Sequence, residues 1–309
     1  MSTVPANNRT DEVQMVNDAD NSSATPSAKP AREKISAFVI TFNEEHHIDA
    51  CLATLDFCDE IIVVDSFSKD STVARAEAAG ATVLHRAWPG YREQKAFGLK
   101  NSTHEWVLNL DADERVSPEL RDNILQMLKN EFEKKRSGKT DGEQINGYYI
   151  SRVVFYLGRW WRRGGWYPEY RLRLFRKSCT EWGGVDPHEK PIVSGRTESM
   201  GGEILHYTYK SIDEQFVRLN NHSTVAAREE LARGTRAGLF SLFTKPAVRM
   251  IKFYVFKRGY REGMAGLVVA MIEGYYTFMK YAKVWGHRFQ AEQEAKARAD
   301  MAAQEELNK

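Results

Sequence analysis

The stretch EIIVVDSFSKDSTVARAEAAGATVLHR (60–86) contains one full strand–helix–strand repeat. An apolar, β-branched run, EIIVVD, ends on Asp65 and reads as a strand, and Ser68 to Ser71 supply turn and capping oxygens for a helix through about Ala79. Gly80 stands where a helix C′ residue is needed, and ATVLHR (81–86) is the next strand. Upstream, ISAFVIT (35–41) and a helix from about Glu44 to Asp56 make the preceding unit. Downstream follow a helix from about Tyr91 to Lys100, the strand EWVLNLD (105–111), and a helix from Ser117-Pro118-Glu119 to about Lys135.

Repeated βα order with unbroken apolar strands predicts an α/β fold with a mostly parallel, buried sheet flanked by helices. In such sheets ligands bind beyond the carboxyl ends of the strands, where Asp65 and Asp111 fall. Residues 134–143 are charged and read as a loop, whereas NGYYISRVVFY (146–156) and EYRLRLF (169–175) read as strands around the Trp-rich, basic segment GRWWRRGGWYP. From about Ser211 the pattern becomes helical. The expected organisation is a disordered tail over 1–33, a catalytic domain over 34–210, a C-terminal amphipathic helical region over 211–290, and a charged tail over 291–309.

With 309 residues and 42% apolar content the chain can bury a sizeable core, so a wholly disordered protein is excluded. A net charge of only +2 gives no global pull toward nucleic acid, and none is expected as a partner. Cys51, Cys58 and Cys179 form no CxxC pair, which fits a reducing compartment. The first 33 residues lack the apolar core of a secretory signal, which points to a cytoplasmic location. The most apolar late stretch, Gly266 to Trp285, carries Glu273, Lys280 and Lys283, so it is expected to lie on a membrane rather than cross one.

The sharpest chemical feature is LNLDADE (108–114). In an extended backbone Asp111 and Asp113 point to the same side and form a hard-oxygen site for Mg²⁺ or Mn²⁺ bridging a diphosphate; a solvated strand-end turn is the other reading of an isolated Asp-x-Asp. ITFNEE (40–45) and VVDSFSKDST (63–72) end the first two strands, where a nucleotide would lie. Neither carries GxGxxG nor a P-loop, so a metal is the natural partner of the phosphates.

TFNEE, VVDSFSKDST and LNLDADE, in this order, resemble the GT-A fold of family 2 glycosyltransferases, over about residues 35–210. GRWWRRGGWYPEYRLRLFRK (158–177) and WGGVDPHEK (182–190) resemble the WaaE/KdtX-like group of that family, which glucosylates the lipopolysaccharide core. The resemblance implies that Thr41, Asn43 and Glu44 border the nucleoside, that Asp65 binds the base, usually uracil, and that Asp111 and Asp113 are the metal-binding pair. Lys95 is either a solvated helix lysine or a contact to the diphosphate or donor sugar.

Inversion needs a base for the acceptor hydroxyl, and the resemblance puts it in GGVDPHEK: Glu189 first, Asp186 second. The Glu-Asp pair of many relatives is missing there. His188 and His206 can orient the base or reach the metal, or be structural. Trp160, Trp161, Trp166 and Tyr167, interleaved with Arg159, Arg162 and Arg163, are candidates to stack on and pair with an acceptor, with core packing as the alternative for some.

The basic, aromatic residues from Phe240 to Arg288 form an amphipathic surface suited to the headgroups of an anionic membrane. The resulting expectation is an inverting, metal-dependent enzyme, peripheral on the cytoplasmic face of the inner membrane. It would move a hexose, glucose favoured, from a UDP-sugar to an inner-core or similar glycolipid. The alternatives are a polyprenyl-phosphate or capsular acceptor, or a non-catalytic nucleotide-binding module.

Overall fold

In a computed structural model that describes residues 31–138, 144–184 and 189–307, the run Ile35–Thr41 forms strand β1, every residue of it buried. Burial on both faces explains the unbroken apolar pattern. β2 (Glu60–Asp65) and β4 (Trp106–Asp111) pair with it in parallel on either side, and β3 (Thr82–His85) extends the sheet in parallel beyond β2. Helices α1 (Ile48–Ala53), α2 (Thr72–Ala78), α3 (Tyr91–Asn101) and α4 (Pro118–Ser137) complete the βα units. Gly80 takes φ +81° after α2, as its position predicts. The Ser117 hydroxyl accepts from Leu120 N at 3.2 Å, Pro118 opens α4, and Gly138 at φ +65° ends it.

Beyond β4 the sheet becomes mixed. β5 (Glu114–Val116), β6 (Ile145–Tyr156), β7 (Arg159–Trp161), β8 (Glu169–Arg176) and β11 (Arg196–His206) extend it to the order β3-β2-β1-β4-β8-β6-β11-β5, with β7 on β6. The link from β6 to β8 through β7 is too short for a crossover helix, so these strands pair antiparallel. β9 (Thr180–Gly183) and β10 (Lys190–Val193) make a separate hairpin. β11 is polar and glycine-containing and does not read as a strand. It bulges between Met200 and Glu203, where a Cβ on Gly202, at φ +87°, would sit 2.4 Å from Leu120 N. Glycine is therefore required for β11 to lie against the start of α4.

α5 (Ile212–Ala232) is capped by Ser211, whose hydroxyl accepts from Glu214 N at 3.1 Å. α6 (Leu239–Ile251) packs on α7 (Gly263–Leu307) at Gly274, whose missing side chain lets Pro246 and Met250 approach. α7 continues to Leu307 through residues expected to form a charged tail. At the other end, Arg32 pairs with Asp59 at 2.7 Å and Glu33 N donates to Leu128 O at 3.1 Å, so packing starts two residues before the expected boundary; residues 1–30 of the expected tail lie outside the described residues. The sheet meets the helices where Val154, Tyr156 and Trp161 pack on Phe253, Val269 and Ala270. Among the described residues no helix is long and apolar enough to cross a membrane.

Candidate active site

β4 carries its last residues to the carboxyl edge of the sheet, where Ala112 and Asp113 form a turn rather than continuing the strand. The expectation that Asp111 and Asp113 share a side through extended geometry is therefore corrected. Both carboxylates line one cleft of about 750 Å³, yet they meet different partners.

Asp111 faces two cations: Lys95 Nζ lies 3.2 Å from one oxygen, and Arg173 Nη2 donates to the other at 2.9 Å. Burial alone would raise the carboxyl, but Arg173 and Lys95 outweigh it and hold it well below the usual carboxylate range. Arg173 is fixed in turn. It donates to Asn109 Oδ1 at 2.8 Å and to Glu114 Oε1 at 2.7 Å, and Arg152 reaches the same Glu114 oxygen at 3.1 Å. The second Glu114 oxygen accepts from Asp111 N at 3.0 Å. Asn109 and Asp111 meet one guanidinium because residues i and i+2 of β4 share a face.

Asp113 points instead to His206, at the end of β11, with Oδ2 3.3 Å from Nε2. The other ring nitrogen, Nδ1, is buried without a hydrogen-bond partner among the described residues. The carboxylate oxygen at the cleft suits Mg²⁺ or Mn²⁺, which take one or two protein oxygens and complete their shell with water and phosphate, and the imidazole beside it is a softer donor. No group of three such ligands occurs among the described residues. Asp111, engaged by two cations, fits the role of supporting the site better than that of a ligand. Glu44 lines the same cleft, and burial and the Asp113 charge push its carboxyl up to about 7.

Thr41 lines the cleft with its hydroxyl buried and unpartnered. Asn43, at φ +56°, clamps the loop after β2 instead: its amide oxygen accepts from Lys69 N and its own N–H donates to Ser68 Oγ, each at 2.8 Å. Asp65 is fully buried, with one oxygen accepting from Ser68 Oγ at 2.5 Å and the other lying 3.3 Å from His85 Nδ1. Thr41 thus lines the cleft together with Trp88, Tyr91 and Arg218 from α5, while Asn43 and Asp65 hold the loop after β2 beside it.

Lys95 is not a solvated helix lysine. It is 6% exposed and bridges Asp111 to Glu189, whose Oε1 lies 3.0 Å from Nζ while Oε2 is buried with no hydrogen-bond partner among the described residues. Glu189 lines an adjoining cavity of about 260 Å³ that opens on Arg152, Arg171 and Lys190. Asp186 and His188 lie outside the described residues.

The Trp-rich segment divides. Trp161 is fully buried and donates to Tyr156 O at 2.8 Å, so it cannot stack on a ligand, and that expectation is corrected. Trp160, its neighbour in β7, takes the opposite face and packs edge-on against Phe155 and Tyr207. Arg163 is exposed near Glu262, at 3.6 Å, and Tyr167 lies beside Arg162. Trp166 donates to Glu273 at 3.1 Å and lines a further cavity, about 370 Å³, between the sheet and the helices.

The profile of Glycosyl transferase family 2 matches residues 36–184, the span that holds Asp65, Lys95, Asp111 and Asp113. Residues 36–184 are therefore a family 2 glycosyltransferase domain. The cleft lies at the carboxyl edge of its sheet. Similarity extends past the domain: this glycosyltransferase is 29% identical over 259 residues to the lipopolysaccharide core biosynthesis glycosyltransferase LpsC of Rhizobium meliloti (strain 1021), covering 81% of this chain and 92% of that one. An uncharacterised glycosyltransferase of Rickettsia typhi is 28% identical, with 82% and 87% covered. Among solved structures, glucosyl-3-phosphoglycerate synthase from Mycobacterium tuberculosis is 26% identical with a TM-score of 0.31; the match covers 40% of this chain and less than half, 44%, of that one.

The sequence reading missed Arg173, Glu114, Arg152 and Arg218. Arg171 and Arg173 alternate with leucines in EYRLRLF, and an arginine at the buried phase of a strand is the signal that Arg173 meets an acid. Arg218 left no such trace, because its helix had no predicted neighbour.

Proposed function

We propose that this glycosyltransferase transfers a hexose, glucose favoured, with inversion from a UDP-sugar to an inner-core lipopolysaccharide saccharide or a similar glycolipid. The observation that carries this reading is the convergence of Asp113, His206, Asp111, Lys95 and Glu189 at one sheet edge. The name of the Rhizobium relative supports the acceptor class.

Asp113 and His206 would hold the divalent cation. When bound, the cation offsets the charge that develops on the departing diphosphate. Arg218, from the opposite wall, adds positive charge at the same cleft. Thr41, Glu44 and Asp65 would border the nucleoside, with Asn43 holding the loop after β2. Lys95 fixes Glu189 by one oxygen and leaves the other to take the proton of the acceptor hydroxyl. The hydroxyl oxygen then bonds to the anomeric carbon as the bond from that carbon to the diphosphate breaks, and UDP leaves from the opposite face.

Glu189→Gln tests this assignment. Transfer of labelled glucose from UDP-glucose to core lipopolysaccharide is expected to fall by about 10² to 10⁴, with UDP affinity in calorimetry unchanged. A fully active Glu189→Gln would exclude it as the base and shift the role to Asp186.

The acceptor class calls for work at an anionic membrane, on the cytoplasmic side of the inner membrane. α6 and the turn after it support this: Phe240, Phe243, Val248, Val255 and Phe256 are 76, 67, 62, 52 and 76% exposed, with Lys252, Lys257, Arg258 and Arg261 beside them. Such a surface suits insertion at the headgroup boundary, each basic residue adding about 1 kcal/mol near anionic lipid. The protein is expected to sediment with phosphatidylglycerol vesicles and not with phosphatidylcholine vesicles. Phe240→Ser with Phe243→Ser should weaken this at least about tenfold, a loss of roughly 1.4 kcal/mol. Sedimentation indifferent to these changes would remove α6 from the membrane surface.

A further inference from the structure

The cavity of about 370 Å³ behind His206 is not used by the donor site just described, yet the two are neighbours. His206 lines both, and α5 stands between them. Arg218 faces the first cleft, while Gln215, Leu219 and His222, spaced at four and three residues along one helical stripe, face the second cavity. The remaining wall comes from the sheet, from the loop between β7 and β8 that carries Trp166, and from α6 and α7, so the cavity lies where the catalytic domain and the helices meet.

Its chemistry narrows the ligand. Two guanidinium groups, Arg152 and Arg249, line it, and both are already matched: Arg152 donates to Glu169 at 2.6 Å, and Arg249 donates to Glu273 at 2.7 Å and 2.9 Å. With these charges balanced, the cavity does not select an anion. It offers instead fixed polar groups, among them Thr208, Gln215 and His222, and two half-buried aromatic faces, Trp166 and Tyr276. Burial and the nearby Arg218 lower the His222 pKa, which leaves a neutral ring able both to donate and to accept. Hydroxyl-matching groups beside aromatic faces, in a space near the lower end of the range for small-molecule pockets, suit one or two neutral sugar rings.

We propose that this cavity seats the saccharide portion of the acceptor, so that α5, α6 and α7 are part of the substrate site. The proposal rests on the glycosyltransferase reading above and adds the place and the chemical class of the acceptor contact. Of the seven residues expected to bind acceptor, Trp166 alone lines this cavity. Trp161 lies in the core, and Arg159, Arg162 and Arg163 pair with Glu262 and Glu203 elsewhere.

The test is calorimetric titration of the full-length protein, with UDP and Mn²⁺ present, with deacylated core oligosaccharide released from lipopolysaccharide. His222→Ala and Tyr276→Ala are each expected to weaken oligosaccharide binding at least about tenfold, with UDP affinity unchanged as evidence of correct folding. Should Tyr276→Ala lose UDP binding as well, His222→Asn, which keeps a polar group of similar size, carries the comparison and is expected to lose less than His222→Ala. Oligosaccharide binding equal in wild type and variants would overturn the assignment of the cavity alone. Failure of the wild-type protein to bind oligosaccharide while it binds UDP would overturn both the cavity and the acceptor class. Failure to bind UDP would instead strike the donor reading.

Discussion

Asp113→Ala is expected to make UDP binding indifferent to Mn²⁺ or Mg²⁺ and to lower sugar transfer by about 10² to 10³, the size of effect seen when one preorganised electrostatic contact at a reacting group is removed. The expectation follows from how the two aspartates divide their work. Among the described residues the Asp113 carboxylate pairs with an imidazole alone, 3.3 Å away, where it lines the cleft. It can turn to a cation without breaking an ion pair to lysine or arginine, and its loss leaves no fixed cation unpaired. Stability should therefore be nearly unchanged. Calorimetry of UDP with metal and then with EDTA, on wild type and variant, reads the result. Retention of a metal-dependent UDP affinity in Asp113→Ala would show that the cation is held elsewhere.

Arg173→Met is expected to do the reverse, destabilising the fold by about 3 to 5 kcal/mol, the usual cost of removing one partner from a buried ionic group. Arg173 is 7% exposed at its side chain and satisfies Asn109, Asp111 and Glu114 together, Glu114 being fully buried. Without it, two carboxylates remain side by side, opposed among the described residues by Lys95 and Arg152. The pH dependence has a definite sign. Asp111 is held below its unfolded value, so its contribution is complete at neutral pH and above the unfolded carboxylate pKa of about 3.9. It is lost as pH falls below that value. Urea titrations at pH 7 and in acid should show the wild-type advantage shrinking as carboxylates protonate. An Arg173→Met protein as stable as wild type at pH 7 would refute the clamp.

The parallel half of the fold was legible because β1, β2 and β4 are buried on both faces and so carry unbroken apolar runs ending in acids. β11 was not, since its strand is built from polar residues and a glycine bulge that only its contact with Ser117 and Leu120 explains. The aspartate pair was visible as a pair, but not its division, because the turn at Ala112 and Asp113 cancels the alternation on which the reading relied. Lys95 could be read two ways until its partners were in view. Trp160 and Trp161 could have been separated, since adjacent residues of a strand must take opposite faces, though which one faced inward depended on the helices behind it.

Because one imidazole is a wall of two cavities, ligands seated in both would not be energetically independent. A ligand that fixes the His206 ring from the donor side fixes the surface against which a second ligand packs. Linkage requires the return effect to be equal, so whatever factor the first ligand contributes to the affinity of the second, the second contributes to the first. Between two open clefts such a factor would need a transmitted movement. Here it needs only a shared side chain, which makes His206 the place where a preferred order of substrate arrival would be written.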